Sequence, residues 1–167
     1  MTLREDEVIS LLNQVKYLNL CSISEPEVNA LRLVVQEAIA DRTETVSTPD
    51  PASPFAELRK GASPIKSTEG CRTFELEWNR YVAYLVTEEI VGSGGSDEVY
   101  TGNLLRAYTK SHFLDHLSRD TGGHIEPILH HKLICLDHLI DVASYSPPKV
   151  RLFDTVPESG RTRLRPN

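Results

Sequence analysis

All six histidines, His112, His116, His124, His130, His131 and His138, fall between positions 112 and 138 of a 167-residue chain, so chemistry is sought there first. His112 and His116 are four apart, which on a helix sets both rings on one face. Asp115, Asp137 or Asp141 could then complete a metal site. The spacing is not HExxH, and without a glutamate beside the first histidine a hydrolytic zinc centre lacks its general base. His130 and His131 are adjacent in a strand-like run and must project to opposite faces, so at most one of them joins any cluster. Ligand-like spacing alone is common, and the residues favour half-exposed histidines bonding to local neighbours.

Nucleophile chemistry has the right residue types in the wrong setting. Ser111-His112, and Cys135 with Asp137-His138, are neighbours whose side chains diverge along an extended chain, and no GxSxG elbow is present. Cys135 sits in the apolar run Leu133-Ile134-Cys135-Leu136, where a buried, inert thiol is expected. Glu75, Glu77, Glu88 and Glu89 could pair for acid and base work. Glu75 and Glu77 are two apart, however, and read as the wet face of a strand. Gly92-Ser93-Gly94-Gly95 lacks the pattern of a phosphate-binding loop and has acids beside it instead of lysine. No cofactor is implied by any of these motifs.

With 40% hydrophobic and 25% charged residues the chain is an ordinary globular one, long enough for a full core. The acidic start MTLREDEVISLL has no signal-peptide pattern, and no apolar run is long enough to span a bilayer, so a cytoplasmic protein is expected. Cys21, Cys71 and Cys135 are odd in number and widely spaced, which fits reduced core thiols better than disulfides. Of the net charge of −6, the end of the chain carries Arg161, Arg163 and Arg165 against Glu158, a net +2, leaving −8 on residues 1–154. An acidic body disfavours nucleic acid, which is bound by neutralising phosphates, and favours a basic protein partner.

The elements that must position these residues are organised around residues 71–88, CRTFELEWNRYVAYLVTE. Alternation through Phe74, Leu76 and Trp78, a short turn at Asn79-Arg80 and the apolar run 81–86 predict a β-hairpin whose second strand is central and covered on both faces. Upstream, apolar spacing predicts a helix over 4–18. A capping box at Ser24-Glu25-Pro26-Glu27 predicts a second helix through Val28, Leu31, Val34, Val35, Ala38 and Ile39. Residues 43–54 read as a linker, 55–60 as a short helix and 155–167 as a disordered tail. Residues 104–108 read as a strand, and Thr109 or Ser111 can cap a helix containing Phe113, Leu114 and Leu117. Two strands then flank Asp137, and residues 150–153, after Pro147-Pro148, form an edge strand.

The order FELEW, RYVAYLVTEE, a glycine and acid loop, YTKSHFLDHL and ICLDHLIDVAS resembles small acidic bacterial immunity proteins that partner secreted toxins, over about residues 64–153. The resemblance implies a non-enzymatic inhibitor that blocks a cognate toxin, often a nuclease, through an acidic surface. It brings no catalytic residues with it.

The expected fold is therefore α+β: an N-terminal helical hairpin (1–42), a linker (43–54), and a region (55–154) in which short helices pack with the hairpin on a mainly antiparallel sheet of five or six strands. The expected function is an immunity-type protein-binding module, against a metal-dependent enzyme built on His112 and His116. Partner binding is expected at Glu88, Glu89, Asp97, Glu98 and Tyr100, gathered on one flexible acidic rim with a single aromatic anchor.

Overall fold

The computed structural model describes residues 3–40, 63–91, 95–123 and 127–153. The expected linker, the helix over 55–60 and the tail lie outside these. Two antiparallel five-stranded sheets face one another across a single core. In the first, β1 (Tyr17–Ser24), β2 (Leu31–Ala40), β4 (Thr73–Trp78) and β10 (Lys149–Phe153) lie side by side, with the two-residue β3 (Ile65–Lys66) also paired to β2. The second runs β5 (Tyr81–Glu88), β9 (His138–Ser144), β8 (Leu129–Ile134), β7 (Leu105–Lys110) and β6 (Val99–Thr101). Helix α1 (Glu5–Gln14) touches β10 and β7, one strand of each sheet, and α2 (His112–Asp120) follows β7.

The helical hairpin is not present. Leu31, Leu33 and Val35 alternate as a strand does, just as Leu31, Val34, Val35 and Ala38 fit a helical stripe, and pairing with β1 on one side and β4 on the other draws this segment into the sheet. Of the capping-box residues Ser24 instead ends β1, paired with Arg32, and Glu25, Pro26 and Glu27 belong to the turn that follows, which Asn29 closes in the left-handed region at φ 60°. The first helix ends at Gln14, and Tyr17 opens β1 by pairing with Ala38.

Nor do residues 71–88 form a hairpin. Trp78 pairs with Leu31 in the first sheet, whereas Tyr81 pairs with Ser144 in the second, so Asn79-Arg80 carries the chain across the sandwich. A second crossing, from β9 to β10, runs beside it, and Tyr145 N–H donates to the Arg80 carbonyl at 3.3 Å. Strand β5 is consequently an edge strand, half exposed along its length, not a covered central one.

The core between the sheets is built from Leu31, Leu33, Val35, Phe74, Leu76, Trp78 and Val150 on one side and Leu105, Leu133, Ile140 and Val142 on the other, with Val8 and Leu12 of α1 closing it. Two side chains strap α1 down. Glu5 accepts the Val150 N–H at 2.9 Å, and Asn13 Oδ1 accepts the N–H groups of Asn103 and Leu105, each at 2.9 Å. The β6–β7 turn beneath Asn13 requires Gly102, which has φ 89° and whose added Cβ would sit 2.1 Å from the Leu105 carbonyl oxygen. The β8–β9 hairpin around Asp137, the helix capped by Ser111 and the edge position of β10 are as expected.

Candidate functional site

The residues expected on one acidic rim divide into two groups. Glu88 ends β5 opposite His138, and Glu89 N–H donates to the Asp137 carbonyl at 3.4 Å. Asp97 instead holds Lys110 Nζ at 2.7 Å and His112 Nε2 at 2.8 Å, at the far end of β7. The two groups belong to opposite edges of the sheet, β5 and β6, four strand spacings or roughly 19 Å apart, and to opposite ends of its strands.

Asp97 and Glu98 are occupied within the fold. Lys110 beside Asp97 holds its carboxyl below the usual carboxylate range, and the lysine is raised in return. Glu98 accepts the Gly95 and His112 N–H groups, each at 3.0 Å, and so caps the start of α2 with a carboxylate where the helix dipole favours one. Tyr100 lies half exposed on β6, with Arg106 4.4 Å above its ring and Tyr108 5.1 Å away.

Glu88 and Glu89 stand in a different setting. Both are exposed, and they continue from Leu85, 46% exposed, and Val86, 37% exposed, into Ile90, 88% exposed. Among the described residues β5 pairs only with β9, so the other side of its backbone ladder is open. At the start of the strand, residues 25–29 lie against it. Tyr81 N–H donates to the Asn29 carbonyl at 2.9 Å, and the hydroxyls of Tyr81 and Tyr84 donate to Glu25 Oε1 at 2.8 and 3.2 Å. The hydrogen bond to Glu25 raises the Tyr81 phenol, while for Tyr84 burial leads and Glu25 adds to it. The open part of the edge is its second half.

His112 is bound to Asp97, and His116 faces Asp120 at 3.5 Å on the same helix. Among the described residues no group of three or more His, Cys, Asp and Glu is placed to hold a metal. His124 lies outside the described residues. His130 and His131 do point to opposite faces, with very different surroundings. His131 enters the core 6.4 Å from the Trp78 ring, its Nδ1 without a hydrogen-bond partner, and burial pushes it down to about 4, helped by His130.

On the opposite face His130 completes an arrangement invisible in the local sequence. Ser111 Oγ lies 2.7 Å from His130 Nδ1, and His130 Nε2 lies 2.7 Å from Asp141 Oδ1, which also takes Lys132 Nζ at 3.1 Å. Tyr108 stacks on the imidazole at 4.3 Å. These are the residue types of a nucleophile, a base and an orienting acid. Their setting is structural. Ser111 is only 3% exposed, and its oxygen also accepts the Leu114 N–H at 3.1 Å as the N-cap of α2. No residue within α2 is buried, so this hydrogen-bond chain is a main fastening of the helix to the sheet. The only forewarning was the hairpin register about Asp137, which sets Lys132 opposite Asp141 and His130 diagonally beside it.

Glu75, expected to face water, is 4% exposed. Arg32 Nε donates to it at 2.6 Å and Arg151 from the other side at 3.0 Å, in a cleft of about 470 Å³ that Glu27 and Glu77 also line. Glu77 is half-buried, with Arg151 at 3.7 Å. Cys71 and Cys135 are buried, and burial pushes the Cys135 thiol up to about 12, whereas Cys21 is only half-buried.

The fold and site thus define a two-sheet β sandwich with an exposed, acid-tipped strand edge. No family model matches the chain, and no curated protein or solved structure does either.

Proposed function

We propose that this chain is a non-enzymatic protein-binding module, an immunity-type inhibitor that neutralises a basic partner such as a toxin domain through an acidic surface. The observation that carries this reading is the second half of β5 and the turn after it, where Leu85 and Val86, on opposite faces of the strand, and then Glu88, Glu89 and Ile90 are all exposed. Apolar area supplies contact, and neighbouring carboxylates steer a cationic protein toward it. The charge of −8 on residues 1–154 acts in the same direction. No helix among the described residues is long and apolar enough to cross a membrane, and we place the inhibitor in the cytoplasm, where it would meet a toxin before release.

The test is a calorimetric and kinetic titration with the product of the adjacent gene, using wild type and Glu88→Lys/Glu89→Lys. Binding is expected, with a salt-dependent association rate that falls about tenfold in the double variant. Absence of binding, or binding that ignores both the substitutions and the salt, overturns the assignment.

A further inference from the structure

We infer that the site is filled by strand addition: an extended, basic segment of the partner pairs antiparallel with the open edge of β5 and sets its cations opposite Glu88 and Glu89. This rests on the protein-binding reading above and specifies how the same site is occupied.

Among the described residues the two sheets end in four edge strands, β1, β10, β5 and β6. An unpaired edge offers a row of N–H and C=O groups to any extended chain, and natural proteins blunt such edges by shortness, bulges, proline or inward charge. Three of the four are blunted here. Strand β6 has only three residues. Strand β10 has five, follows Pro147-Pro148 and carries Lys149 and Arg151. Strand β1 has a register break between Leu20 and Ser22, and none of its residues is fully exposed. Strand β5 is irregular only near Tyr81, the end that residues 25–29 already cover. From Ala83 to Thr87 it carries no charge, no proline and no bulge.

Charge then chooses the occupant and its direction. Glu88 and Glu89 follow this apolar stretch, so an antiparallel strand meets them with its N-terminal residues. Those residues must be basic, because like charges placed opposite one another oppose pairing. A second copy of this chain fits less well. The basic residue at the other end of its β5, Arg80, is already held 4.5 Å from the Tyr145 ring. Backbone pairing supplies contact regardless of sequence, while the flanking lysines or arginines supply the selection.

The probe is a capped peptide, Lys-Lys-Val-Thr-Val-Thr-Val, added at about 1 mM, a range suited to weak single-strand binding. Hydrogen exchange and calorimetry are the readouts. The expected result is slowed exchange at alternate amides between Leu85 and Glu88, with β1 and β10 unchanged. Affinity should drop about tenfold in Glu88→Lys/Glu89→Lys and recover when the peptide begins Glu-Glu instead. Unchanged exchange in β5, protection at another edge, or loss without recovery in the charge swap overturns strand addition. Protection of β5 that rises with protein concentration before any peptide is added assigns the edge to a second copy and also overturns it. If the adjacent gene product binds while the peptide leaves β5 unprotected, strand addition fails and the protein-binding reading stands. The opposite pair of outcomes removes that reading and keeps the edge as an acceptor of basic strands.

Discussion

His131 should make this protein lose stability in mild acid, by an amount the structure allows to be worked out. Its ring is buried against Trp78 with Nδ1 unpaired, and the folded-state value of about 4 lies below the ordinary 6.5. As the pH falls, the unfolded chain takes up the proton first. Stability is therefore lost from about pH 6.5 down through pH 4. One unit of difference corresponds to about 1.4 kcal/mol, so the loss between pH 7.5 and pH 5 is roughly 2 kcal/mol and the full loss below pH 4 roughly 3 kcal/mol. Urea unfolding at the two pH values, followed by fluorescence of Trp78, the only tryptophan, measures it. In His131→Gln this component should vanish, leaving a pH dependence about 2 kcal/mol shallower than wild type over that interval. Equal losses in the two proteins would show that the ring is not held neutral in the core.

Three further outcomes follow from the packing. Ser111→Ala removes the cap of α2 and leaves His130 Nδ1 without its partner, so stability should fall by about 2 kcal/mol and amide exchange should quicken selectively in α2. Glu75→Gln keeps the shape of the side chain but leaves Arg32 without its buried counter-charge, for a loss of about 3 kcal/mol in urea titration. Gly102→Ala forces a Cβ against the Leu105 carbonyl at a positive φ, and should lower the melting temperature through a loss of at least about 1 kcal/mol.

What the sequence disclosed follows from where each element finds its partners. The β8–β9 hairpin and α2 were legible because their signals are local: a turn at Asp137, and a serine cap ahead of an amphipathic stretch. Residues 31–40 were not. Leu31, Val34, Val35 and Ala38 fit a helical stripe, while Leu31, Leu33 and Val35 fit a strand, and the choice falls to β1 and β4, whose approach no window of sequence contains. The same holds for Asn79-Arg80. Two strands joined by a short turn look like a hairpin, and only the pairing of Trp78 with Leu31 and of Tyr81 with Ser144 separates them into different sheets.

The site divides along the same line. Glu88 and Glu89 follow the apolar run 81–86 directly, so their place at the end of a strand is legible in the sequence. Their separation from Asp97, Glu98 and Tyr100 is not, because it depends on β5 and β6 occupying opposite edges of one sheet. That placement also decides what the acids can do. Asp97 and Glu98 lie where Lys110, His112 and the start of α2 consume them, and they stabilise the fold. Glu88 and Glu89 lie at the end of an edge strand, exposed and without an ion pair among the described residues. Equal carboxylates a few residues apart thus differ in surroundings because they stand at different edges of one sheet, and the proposed partner site rests on the pair at the β5 edge alone.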